Sequence, residues 1–71
     1  MPAPGIYRHF RNQQLYQLIG PAKHSESLEP MVIYRALYGD YGLWARPAAM
    51  FEEMVEHEGA QVPRFSLVQS L

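Results

Sequence analysis

The residues best suited to chemistry lie in one run, VIYRALYGDYGLWARP at 32–47. It holds three of the five tyrosines, the only tryptophan and two of the six basic residues. Alternate side chains of an extended chain share a face. Val32, Tyr34, Ala36 and Tyr38 therefore fall on one side of a strand, and Ile33, Arg35 and Leu37 on the other. After a turn, Trp44 and Arg46 share a face of the next strand. Tyr34, Tyr38, Trp44 and Arg46 are thus the candidate ligand or partner face. Tyrosine and tryptophan offer large contact area with few rotatable bonds. Arginine adds a rigid, permanently charged fork for a carboxylate or phosphate. The same set also arises where an arginine stem packs on rings in a capped core. Two readings follow: a binding face served by Arg35 or Arg46, or a second small core capped by Met50 and Phe51. In either reading, Ile33 and Leu37 lie on the opposite side and fill the barrel core with Leu15, Phe65 and Leu67.

Other chemistry-bearing residues are more dispersed. His9, His24 and His57 form no H-x-x-x-H pair. His24 and Glu26 in KHSES could share a cation, but zinc-type sites use more nitrogen or sulfur ligands at tighter spacing. No metal and no cofactor is expected. Ser25 adjoins His24, yet a nucleophile needs its base within hydrogen-bond reach and a third group to orient that base. No such group is marked, so no enzyme is expected. Asp40 in YGDYG reads as a turn residue whose carboxylate accepts from backbone N–H groups. The acidic run FEEMVEHE reads as a solvated face.

These residues need strands to position them. IYRHF at 6–10 alternates as a first strand, entered through MPAPG. LYQLIG is a second strand, and Pro21 should bend or end it. MVIYRALYG is the longest strand signal, and the glycines around Asp40-Tyr41 suit a tight turn in which Gly39 or Gly42 has positive φ. LWARP is a fourth strand. Pro47 suits the first position of a short helical turn near 48–54, with Met50, Phe51 and Met54 at helical spacing. VEHEGAQVPRFSLV reads as a hairpin turning at Glu58-Gly59. About five strands and one helical turn predict a single all-β domain over 1–71, a small barrel or roll with its core in about 5–68.

Composition narrows the class. Seventy-one residues without cysteine make one marginal domain with no disulfide. Five tyrosines, three phenylalanines and one tryptophan offset that by burying large area. Six basic against seven acidic residues give a net charge of −1, which disfavours backbone binding to nucleic acid. No apolar run approaches the ~20 residues of a membrane helix, and no secretory signal opens the chain. A cytoplasmic protein without membrane contact is expected.

GIYRHF at 5–10, HSES at 24–27, the block at 32–47, MF at 50–51 and VPRF at 62–65 carry a resemblance. The chain closely resembles the small bacterial family known as domain of unknown function 1653, over roughly residues 5–68. The resemblance implies an SH3-type small barrel, in agreement with the strands, and brings no assigned activity. The expected function is a non-enzymatic interaction module that recognises a peptide or protein, by analogy with aromatic-lined SH3 grooves. The alternatives are a small-barrel nucleic-acid binder that stacks bases on Tyr34, Tyr38 or Trp44, and a small ligand sensor or enzyme using His24, Glu26 and Arg46.

Overall fold

The computed structural model describes residues 2–71, so Met1 of the MPAPG opening lies outside the described residues. The chain is mainly β. Its strands are β1 (Gly5–His9), β2 (Leu15–Lys23), β3 (Pro30–Ala36), β4 (Leu43–Pro47), β5 (Met54–His57), β6 (Ala60–Pro63) and β7 (Phe65–Ser70). One helical turn, α1 (Ala48–Phe51), follows β4. An antiparallel sheet runs in the order β4-β3-β2-β1-β7, and β5 and β6 pair apart from it.

The sheet is strongly rolled. Strands lie about 4.8 Å apart, so in a flat sheet β4 and β7 would be about 19 Å apart. Yet the Arg46 guanidinium on β4 lies 5.6 Å from the Phe65 ring centre on β7. The Tyr34 ring on β3 also meets Phe65, at 5.6 Å. Only curling of one face inward brings these side chains together.

That inner face is the tyrosine face. Tyr7, Tyr16, Leu18, Val32, Tyr34, Ala36, Ala48, Phe51 and Phe65 form the buried core. The aliphatic face expected to fill the interior does not: Ile33, Leu37 and Leu15 are half-buried and Leu67 is exposed, while Phe65 alone of the expected set is buried. The physical reason is shape. Large phenols alternate with the smaller Val32 and Ala36, and tyrosine buries a ring while its hydroxyl reaches an open end.

The other departures are local. Pro21 does not end β2. A bulge shifts the register between Leu18 and Gly20, and the strand runs on to Lys23. The β1 pairing stops at Leu18, so Pro21 sits on an edge and its missing N–H costs no ladder bond. Pro47 caps α1 from outside rather than opening it, and only Phe51 of the Met50, Phe51, Met54 set is buried. The expected carboxy-terminal hairpin is two units. The β5–β6 hairpin turns at Glu58 (φ 53°) and Gly59 (φ 82°), as a two-residue turn with positive φ at both positions should. Phe65–Ser70 instead returns to β1.

Three turns share one closing device. Asn12 Oδ1, Ser27 Oγ and Asp40 Oδ1 each accept the backbone N–H two residues on, from Gln14, Glu29 and Gly42. The residue between, Gln13, Leu28 or Tyr41, has φ near +60°. The side-chain bond holds this costly conformation. In two turns a histidine closes the other side: His9 Nδ1 accepts from the Arg11 amide at 3.2 Å, and His24 Nδ1 from the Glu26 amide at 3.2 Å. Gly39 supplies a further positive φ of 62°. Gly39→Val should cost about 1–2 kcal/mol, because a Cβ is strained in the left-handed region. Urea unfolding measures it, and an unchanged midpoint would contradict the turn assignment.

Candidate functional site

Where the roll closes, a cleft of about 210 Å³ opens, lined by His9, Tyr16, Tyr34, Tyr38, Trp44, Arg46 and Phe65. All five strands of the sheet, with the β3–β4 turn, contribute to it. The structure thus places Tyr34, Tyr38, Trp44 and Arg46 around one opening. Tyr34 pairs across the ladder with Trp44, and Val32 with Arg46, which sets Trp44 and Arg46 on the inner face of β4. Their roles differ: Tyr34 is 4% exposed and belongs to the core, whereas Trp44 is 57% exposed at the rim. Neither of the two simple expectations, all surface or all core, describes the set. The floor is core and the rim is surface.

The hydrogen bonds define the floor. Asn12 Nδ2 donates to the Tyr16 hydroxyl at 3.1 Å, and the Tyr16 and Tyr38 hydroxyls share a bond of 2.5 Å. That bond, with burial second, raises the Tyr38 phenol above its ordinary value. Arg46 Nε donates to the Tyr34 hydroxyl at 3.3 Å while its guanidinium lies over Phe65. Two independent contacts therefore fix the guanidinium at the cleft, and no carboxylate is among the lining side chains.

His9, Tyr16 and Phe65 also line the cleft and were absent from the expected face. The alternation of IYRH puts Tyr7 and His9 together, which is the one local signal for His9. Burial, and then the charges of Arg46, Arg64 and Arg11, lower the His9 pKa. Its folded pKa thus lies below the unfolded value of about 6.5. Stability is then complete above about pH 6.5 and falls as the pH drops from there toward the folded pKa, because the unfolded chain binds the extra proton first. Urea midpoints between pH 5 and 8 should decline on the acid side, and His9→Asn should flatten that decline. Equal slopes in both proteins would contradict the assignment.

The remaining candidates lie elsewhere. His24 and Glu26 are exposed in the β2–β3 turn, where His24 Nδ1 accepts from the Glu26 and Ser27 amides. Neither lines the cleft with Arg46. Arg35 is on the outer face and donates to the Tyr41 carbonyl at 2.7 Å. Among the described residues, no three His, Asp or Glu side chains gather as a metal site. Two wider depressions exist, an apolar one of about 320 Å³ at Pro21, Leu28 and Pro30, and one of about 360 Å³ at Arg8, Phe10 and Val68. Neither joins a fixed charge to converging hydroxyls as the Arg46 cleft does. No described helix is long and apolar enough to cross a membrane.

Comparison with known proteins defines the class. The model of the family described as protein of unknown function DUF1653 matches residues 5–67, and the chain belongs to that family. It is similar to the crystal structure of a DUF1653 protein from Bordetella bronchiseptica, with a TM-score of 0.88 and 30% sequence identity. The alignment covers 99% of this chain and 91% of that one. No curated protein matches the chain.

Proposed function

We propose that the protein is a non-catalytic binding module, SH3-like in type, which recognises a peptide or protein segment at the Trp44–Arg46 cleft in the bacterial cytoplasm. One observation carries this reading: a seated arginine and an exposed tryptophan flank a cleft of about 210 Å³. That volume is below the roughly 300–1,000 Å³ of sites that enclose whole small molecules. It suits one residue of a larger partner, with Trp44 as a platform for the adjoining chain. Aromatic and arginine side chains of this kind dominate binding energy at interfaces.

Selection of displayed peptides on the wild-type protein, with Trp44→Ala as the counter-screen, tests the reading. Selected peptides should bind the wild type at least tenfold more tightly than the variant. Trp44 is largely exposed, so Trp44→Ala should change stability by less than about 1 kcal/mol, against the roughly 3–5 kcal/mol of a buried aromatic. Peptides that bind both proteins equally would remove the cleft as the site. Single-stranded nucleic acid could use the same Trp44–Arg46 pair by stacking a base on the indole. Binding to an oligonucleotide that weakens steeply with salt would favour that alternative.

A further inference from the structure

The hydrogen-bonding groups of the cleft can be counted proton by proton. Tyr16 and Tyr38 own two phenolic protons, and only one lies in the bond between their oxygens. The Asn12 amide already donates to Tyr16 and so takes neither proton. One phenolic O–H of the pair is therefore left over. Tyr34 accepts from Arg46 Nε, so its own proton is also unspent. His9 accepts at Nδ1 from the Arg11 amide, so a neutral ring carries its proton on Nε2. Arg46 uses Nε internally, which leaves the end-on pair of terminal amines for a ligand. Carboxylate and carboxamide side chains are absent from the lining. The cleft is rich in donors and poor in acceptors, and it carries one fixed positive charge.

We infer that the cleft receives a carboxylate, held end-on by the Arg46 fork and by the spare hydroxyl protons of Tyr34 and the Tyr16–Tyr38 pair. This inference rests on the reading of the cleft as a partner-binding site and names the group that enters it. A carboxylate accepts only, is planar, and pairs with a guanidinium through two parallel bonds. Its single charge matches the single guanidinium. Among the described residues that line the cleft, Arg46 alone carries a fixed positive charge, so a doubly charged phosphate finds no second fixed cation in the lining. The carboxylate has two possible sources on a peptide, the chain end or an acidic side chain, and both present the same two oxygens.

Titration of the isotope-labelled protein by NMR tests the inference with defined probes. These are N-acetylglycine for a chain end, N-acetylaspartate amide for a side chain, neutral N-acetylglycinamide, and inorganic phosphate. At least one carboxylate should give saturable shifts at His9, the Trp44 indole and the Arg46 Nε–H, and the stronger one identifies the source. The neutral amide should give none. Arg46→Gln should weaken carboxylate binding at least about tenfold, as expected for charged hydrogen bonds. Tyr34→Phe, which keeps the ring and removes one proton, should weaken it by a smaller factor and covers the case in which Arg46→Gln fails to fold. Equal binding of the neutral amide, preference for phosphate, or full binding by Arg46→Gln would overturn the inference. Selected peptides that shift the cleft resonances without needing a carboxylate would overturn it and leave the binding-module reading standing. Carboxylate probes that bind where no peptide does would leave the carboxylate site standing and remove only a peptide or protein as the source of the group.

Discussion

Phe51→Ala is expected to destabilise the protein by about 3–5 kcal/mol, the usual cost of truncating a buried phenylalanine. Phe51 is 2% exposed. Its ring stacks on Phe65 at 4.1 Å and 4° and meets Tyr7 and Tyr34 edge-on at 5.2 and 5.6 Å. It comes from a helical turn of four residues, too short to hold its own shape. The turn is fixed by what Phe51 touches, so removing the ring loosens α1 as well as leaving a cavity. A domain of this length has a total stability of roughly 4–11 kcal/mol, so the loss is a large fraction of the whole. Urea unfolding followed by circular dichroism should show most of the folding free energy gone. Phe51→Leu, which keeps much of the volume, should lose distinctly less. A small effect from Phe51→Ala would mean that the inner face of the sheet is closed by something other than this turn.

The contrast between Phe51 and its neighbours shows what the sequence makes legible. Strand β4 is bounded by Gly42 and Pro47, and the β5–β6 turn by Glu58-Gly59, so punctuation alone locates them. Period-two alternation likewise groups Tyr34 and Tyr38 on one side of the chain, and Trp44 with Arg46. Alternation yields two faces, however, and does not say which is inside. Aliphatic Ile33 and Leu37 look like core, yet curling of the sheet puts the tyrosines there. The cleft needs His9 from β1, Tyr16 from β2 and Phe65 from β7. Those strands meet only through long-range pairing, for which no local pattern codes. The surplus of donors is further removed still, since it depends on which hydroxyl faces which. The turns stand between these cases. HFRNQQ and HSESLE share a histidine and a small polar residue at matching positions, and their common hydrogen bonds explain both histidines without a ligand.

Gly5→Ala should destabilise the protein by about 1–3 kcal/mol, the range for forcing extra volume into a packed interior. Gly5 is buried at the start of β1, opposite Leu18 on one side and Ser70 on the other. A Cβ there would stand 2.7 Å from the Gln69 carbonyl oxygen and 2.8 Å from Leu67 Cδ1. The leucine tip can rotate away, but the carbonyl is backbone and moves only with β7. The register between β1 and β7 already shifts between Ile6 and Tyr7, so this corner holds an irregular pairing that the missing side chain permits. Pushing β7 outward would draw Phe65 from Phe51 and from the Arg46 guanidinium above it. The same substitution should therefore loosen the floor of the cleft, some distance along the strand. Gly20→Ala is the control, because a Cβ at Gly20 meets nothing within 4 Å. Amide hydrogen exchange should accelerate along β7 in Gly5→Ala and stay at the wild-type rate in Gly20→Ala. Equal protection of β7 in both variants would show that the close approach at Gly5 is relieved without moving the strand.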